Sequence, residues 1–191
     1  MRLFCIALVT LSAFSCRHRP AVVEVPVTYL GSGSAASAPK TVPAQRIFVA
    51  VDNRFGESRQ IGKDKNSAVP IHAEPADLVR LVDAGFRAEL ARVGAQVAAT
   101  ANEADVVLKV GVNVVNVEEG ASYSARLVAQ IEVTDPGGKT LGFSTLEGAG
   151  AHTGRDYDGS EVNVTLNKAL ADLIARFFTD GSLMTRLNEK P

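Results

Sequence analysis

Tryptophan is absent from this chain of 191 residues, and it holds only three tyrosines and eight phenylalanines. Flat surfaces for stacking bases or sugars are correspondingly few, which disfavours a sugar-cleft enzyme. Charge of one sign is also lacking. Twenty basic residues against 21 acidic ones leave a formal net charge of −1, and no basic cluster is longer than Arg17-His18-Arg19. No nucleic-acid partner is expected from such a distribution. Long apolar runs are missing too: the longest, Leu3 to Ala13, is about half of the ~18–20 residues that span a bilayer.

The residues that carry metal and nucleophile chemistry are equally sparse. Histidines stand only at 18, 72 and 152, with no HxxxH and no CxxC, so zinc is not expected. There is no G-x-S-x-G either. Residues 137–140, GGKT, imitate the end of a phosphate-binding loop. The required earlier glycine is Val133, and the context is a turn between strands. His152, Asp156 and Asp158 in AHTGRDYDGS are conceivable ligands of a hard cation, but EF-hand spacing is absent, and a polar loop before a helix carries such residues for turn formation. No metal, no cofactor and no catalytic residue is therefore assigned. The best exposed polar cluster is Asp52-Asn53-Arg54 at a strand end. Asp52 and Arg54 are candidate partner-binding residues, the alternative being a local ion pair and turn.

What the chain does have begins at its N-terminus. Met1-Arg2 gives a positive charge, Leu3 to Ala13 an apolar centre, and Ala13-Phe14-Ser15 small residues at −3 and −1 to Cys16. These are the parts of a secretory signal peptide over 1–15. Two outcomes fit the junction. Ordinary cleavage releases a soluble secreted protein. Alternatively, Cys16 resembles the acylated first residue of a bacterial lipoprotein, although Leu11 stands at −5 where such boxes place leucine at −3. Cys5 lies inside the signal, so Cys16 would be the sole cysteine of the mature chain, with no disulfide partner in an oxidising compartment. Lipidation accounts for that lone thiol. Each buried methylene of an acyl chain contributes about 0.8 kcal/mol of membrane affinity, so several chains on one residue anchor it effectively for good.

Residues 16–44 then turn to Pro, Ser, Gly, Ala and Val, as in GSGSAASAPK. This composition reads as a flexible tether of about 28 residues with an r.m.s. reach of roughly 30 Å. Within it VVEVPV (22–27) alternates as an edge strand would, though Pro26 argues against one.

With 46% hydrophobic and 21% charged residues, the remainder, 45–191, suits one globular domain. RIFVAVD (46–52) alternates as a strand, with Ile47, Val49 and Val51 on one face. Residues 53–70 read as a loop with a possible short strand at Ile61. A helix over 75–93 places Val79, Val82, Phe86, Leu90 and Val93 on one stripe, with Pro75 in its first turn, Gly94 at its C′ position, and Gly85 as an internal cost. From Asp105 a long strand runs to a bulge at Val114-Val115. A second strand points Tyr123, Ala125, Leu127, Ala129, Ile131 and Val133 inward, and a third follows over 141–148. Ser160 caps a last long helix with Leu166, Leu170, Leu173 and Phe177 inside, and Ser182 a short one. The expected fold is α+β: one antiparallel or mixed sheet of about four strands with two helices packed on one face, in the order β-α-β-β-β-α.

The order of features resembles the YajG-like family of bacterial outer-membrane lipoproteins. The resemblance is carried by Cys16 after the export segment, Val51-Asp52-Asn53-Arg54 with Ile61-Gly62, Ala91-Arg92-Val93-Gly94, Ala104-Asp105, Glu147-Gly148, and Phe178-Thr179-Asp180-Gly181-Ser182 with Leu183 and Leu187. It implies a lipid-anchored periplasmic α+β domain and brings no catalytic residue. With it, Arg17 after the cysteine implies outer-membrane sorting. The expected function is a non-enzymatic envelope lipoprotein, a binding or scaffold module that offers a sheet edge, loops or tether to an envelope protein. The alternative is an auxiliary subunit of an envelope transport or lipid-trafficking complex, since similarly built small lipoproteins accompany such machines.

Overall fold

The structure, a computed structural model, describes residues 21–31, 45–65, 67–154 and 158–188. Its frame is one long strand, β6 (Val106–Glu119). Along one side β6 pairs antiparallel with β7 (Tyr123–Thr134), which pairs antiparallel with β8 (Thr140–His152). Along the other side two strands follow each other in parallel: β2 (Arg46–Asn53) against Val106 to Val112, then β3 (Gln60–Asp64) against Val117 to Glu119. Three short strands complete the sheet. β4 (Pro70–His72) joins β3 antiparallel, β1 (Val23–Glu24) joins β4 in parallel, and β5 (Gln96–Val97) joins β2 in parallel.

The fold is thus α+β, but the expected sheet of about four strands with two helices is corrected: the described residues form a mixed sheet of eight strands with three α-helices. The four added strands are two to five residues long; β1 and β3 fall where the sequence offered only a possible edge strand and a possible short strand, and β4 and β5 were missed. Such pieces carry no periodicity of their own and take their register from β6 and its neighbours. The meander itself is as expected, but its bulge falls at Asn113 and not at Val114-Val115: the β6–β7 register slips between Val112 and Val114. Every residue assigned to the inner face of β7, from Tyr123 to Val133, is buried.

Helices cover the inner face of the sheet. α1 (Pro75–Arg92) starts with Pro75 in its first turn and ends before Gly94, whose φ of +89° is the left-handed conformation that closes a helix. Its buried stripe is broader than expected, Leu78, Leu81, Val82, Gly85, Phe86, Glu89 and Leu90, with Val79 half-buried. The reason is that α1 touches a second helix as well as the sheet. A Cβ on Gly85 would lie 2.6 Å from Leu170 Cδ2, so this glycine sets how close the helices come. That second helix, α2 (Gly159–Thr179), buries Leu166, Leu170, Leu173 and Phe177 as expected, and Phe177 meets Phe86 edge to face with centroids 5.5 Å apart.

The helix caps differ from expectation. Asp158, not Ser160, opens α2: its carboxylate accepts from Ser160 N at 3.0 Å. Asp180 does the same for α3 (Gly181–Asn188), accepting from Ser182 N at 3.0 Å and Leu183 N at 3.1 Å. The same tripeptide, Asp-Gly-Ser, begins both helices.

Part of the segment read as tether is bound to the domain. Val23 and Val25 are buried, Val25 N donates to His72 O at 2.9 Å, and Tyr29 reaches Glu89 on α1 at 3.1 Å. Pro26 does not prevent the strand, which ends at Glu24 before the missing N–H matters.

Candidate functional site

Helices fill one face of the sheet, and among the described residues nothing covers the other. Even-numbered residues of β2 point to the open face, so Phe48, Ala50, Asp52 and Arg54 follow one another down it. Arg126, Val128, Gln130 and Glu132 of β7 and Phe143, Thr145 and Glu147 of β8 form the parallel rows, as the inward set of β7 and the strand registers require.

Arg54 lies at the centre of this face. Its backbone N donates to Val112 O at 2.8 Å, which prolongs the β2–β6 pairing by one residue. Its side chain then crosses β6 above Gly111, and Nη1 donates to Gln130 Oε1 on β7 at 2.9 Å. A Cβ on Gly111 would lie 2.4 Å from Arg54 Nε, so only glycine lets the guanidinium lie flat there. Asp52 is exposed and stands opposite Gly111 in the register. Among the described residues no ion pair joins Asp52 to Arg54. The turn after them is built by Asn53, whose Oδ1 accepts from Phe55 N at 3.1 Å and Gly56 N at 3.2 Å and whose Nδ2 donates to Gly56 O at 2.8 Å.

Several other charged groups of this face have partners. Arg126 donates to Glu147 at 2.8 Å, a bond that holds the Glu147 carboxyl below its ordinary range. Glu132 accepts from Thr140. Arg87 of α1 stacks over the Phe48 ring at 5.3 Å. Phe143 is 67% exposed, one of two large apolar side chains so placed among the described residues, the other being Leu30.

The sheet edge offered as a docking strip by the sequence is already engaged on β8. Asp172 of α2 accepts from Ala149 N and Lys168 of α2 donates to Ala151 O, each at 3.0 Å. The helix sits close enough because Gly148 and Gly150 face it: a Cβ on either would lie 2.1 Å from Ala169 O or 2.4 Å from Thr165 O. On β2, Arg87 Nη2 donates to Val49 O at 2.6 Å beyond the end of β5.

The remaining sequence candidates are dispersed. Cys16, Arg17 and His18 lie outside the described residues, as does Asp156. His72 stands 3.8 Å from Glu24. His152 contacts Glu161 through Nε2, and Lys168 Nζ is 3.1 Å from its Nδ1. Asp158 is occupied with its helix cap, and the Ser160 bonds hold its carboxyl below the ordinary range. Among the described residues no group of three or more His, Cys, Asp or Glu side chains is placed to hold a metal ion, and no helix is long and apolar enough to cross a membrane. GGKT forms the β7–β8 turn, in which Gly138 has a φ of +87° and Lys139 N donates to Asp135 Oδ1 at 2.9 Å. Near the opposite end of β7, the Tyr123 hydroxyl meets Glu119 at 3.0 Å. Burial, then the Glu119 charge, raises the phenol's pKa, so it acts as a donor and not a base.

Sequence reasoning missed Gly111 and Phe143, which belong to the face only through cross-strand register; the alternation of β7 turns Gln130 outward but does not pair it with Arg54. It also missed Asn163 and Asn167. Their signal was visible, as two asparagines one helical turn apart flanking buried Leu166.

No family model matches the chain, and no curated protein matches it in sequence. Several solved structures resemble it. Protein XCC0632 of Xanthomonas campestris, of family DUF330, is 15% identical with a TM-score of 0.50, over 87% of this chain and 95% of that one. Protein CT253 of Chlamydia trachomatis is 12% identical with a TM-score of 0.44, over 71% and 96%. A minor lipoprotein of Acinetobacter baumannii is 11% identical with a TM-score of 0.41, over 72% and 92%. What the chain shares with the DUF330 protein is its fold.

Proposed function

We propose that the chain is a YajG-like lipoprotein, acylated at Cys16 and held at the outer membrane, whose periplasm-facing domain binds an envelope protein through the open face of its sheet and has no enzymatic activity. The observation that carries this reading is Arg54 held flat between Gly111 and Gln130, with exposed Phe143 and Asp52 on the same face. A positioned arginine on the same face as an exposed aromatic is the composition of a protein-binding hot spot, and holding it in place beforehand lowers the ordering cost of association. The face mixes both charge signs, which suits a protein better than an anionic surface or nucleic acid. Its polar groups bond to one another across a flat sheet and do not converge on a common point, as general acid–base work requires.

Two measurements test this. A mass spectrum of the mature N-terminal peptide should show a diacyl or triacyl mass that Cys16→Ser abolishes; an unmodified Cys16 would remove the anchor and favour soluble secretion. A photo-reactive residue at position 143 in intact cells should give one discrete adduct that Arg54→Ala abolishes. No adduct at 143 would overturn the binding face, and an adduct with a transporter subunit would move the function to the auxiliary-subunit alternative.

A further inference from the structure

The segment from Ala21 to Gly31 is fastened to the domain by more than its two-residue strand. Asn163 and Asn167, both nearly buried on α2, bind its backbone like rungs. Thr28 N donates to Asn163 Oδ1 at 3.1 Å and Leu30 N to Asn167 Oδ1 at 2.9 Å, and Asn167 Nδ2 returns a bond to Thr28 O at 2.9 Å. Asn163 Nδ2 adds a bond to Thr28 Oγ1 at 3.2 Å. Earlier in the arm, Arg59 pairs with Glu24 at 3.0 Å. Gly159 lies where a Cβ would be 2.1 Å from Glu24 O, so the arm presses on the first turn of α2.

This attachment fixes where the chain leaves the domain. Val23 stands beside Ile71, so the arm enters next to Pro70, which pairs with Lys63, which pairs with Glu118. The exit therefore lies at the end of the sheet that carries the β6–β7 turn at residues 120–122. The β7–β8 turn at Lys139 lies at the far end of β6, whose 14 residues span about 45 Å. From Cys16 to Val23 seven residue steps reach at most about 25 Å, whereas a tether running free to residue 45 would reach about 100 Å.

We infer that the domain stands on the lipid surface by the end that carries the 120–122 turn, held by a leash of only Cys16 to Val22, with the asparagine ladder as the clasp. The inference rests on the anchor proposed at Cys16. It also orients the open face, whose strands then run up from the membrane, so that Arg54 is presented to the side.

The test uses the full lipidated chain in phosphatidylethanolamine–phosphatidylglycerol vesicles whose headgroups carry an energy acceptor. A donor is attached at Ala121→Cys or at Lys139→Cys, both exposed positions. With the sites separated by most of the length of β6, transfer from 121 should exceed transfer from 139 at least about twofold. Asn163→Ala with Asn167→Ala should shrink that contrast. So should Thr28→Pro with Leu30→Pro, which removes the two donated N–H groups without touching the core. Equal transfer from both sites in a chain that floats with the vesicles overturns the orientation. A contrast unchanged by either pair of substitutions overturns the clasp. Failure to float is a separate outcome: it removes the anchor itself, and the inference with it.

Discussion

The guanidinium of Arg54 lies across the backbone of Gly111, at a distance that leaves no room for a Cβ. Because the obstructed group is the far end of a flexible side chain, Gly111→Ala should leave stability within about 1 kcal/mol of the parent while lifting Arg54 off Gln130. Crosslinking from position 143 should then fall as it does in Arg54→Ala, with an unchanged urea midpoint. A large drop in that midpoint would mean that Gly111 serves the sheet and not the arginine.

Gly148 and Gly150 predict the opposite behaviour. Their added methyl would meet the backbone of α2, which cannot swing aside. Gly148→Ala should destabilise by about 1–3 kcal/mol, towards the upper end, as overpacking does. Gly120→Ala, whose added Cβ would meet nothing nearer than Lys65 Cδ at 3.9 Å, should be close to neutral. Urea denaturation of the two variants side by side checks the contrast.

Gly85 sets two effects against each other. Alanine there gains about 1 kcal/mol of helix propensity, but its methyl would press on Leu170 Cδ2 in the α1–α2 contact. Gly85→Ala should therefore be destabilising in the intact chain, and Leu170→Val should cost less in its presence than alone. A double-mutant cycle measures that coupling.

Asp158→Ala should cost about 1 kcal/mol through loss of the α2 cap, somewhat less given its exposure to solvent. The Ser160 bonds depress the folded-state pKa of Asp158. The cap's contribution is therefore complete above the unfolded carboxyl value and is lost as pH falls through the folded one. The gap between parent and Asp158→Ala should be full at neutral pH and narrow at strongly acid pH; a gap independent of pH would contradict this assignment.

How legible this molecule was depends on the range of the interactions. Period-two alternation placed all six inward residues of β7, because one strand face meets one core. The α1 stripe came out too narrow, because Gly85 packs against Leu170 of α2, a partner that periodicity cannot reveal. The starts of α2 and α3 were both read on serine, whereas aspartate two residues earlier supplies each cap; the repeated Asp-Gly-Ser was the available clue. Of the motifs quoted for the family resemblance, several have plain structural duties. Gly62 passes 1.8 Å from Val117 O if given a Cβ, Asp105 accepts from Arg46 N at 2.9 Å, and Gly94 closes α1. Of the open face, Asp52, Arg54 and the outward alternation of Arg126, Gln130 and Glu132 along β7 were legible, but not how they meet. Gln130 is 76 positions from Arg54, and nothing local marks that distance as a contact.

The side chains that α2 lays along β8 govern how copies of this domain can meet. A free strand edge templates indefinite growth, one molecule adding to the next by backbone pairing. Asp172 and Lys168 already take up Ala149 N and Ala151 O, so lateral pairing at that stretch must first pull the helix away. A crowded film of these molecules on a membrane can therefore stay a population of separate units, free to gather only where a side-chain surface finds its complement.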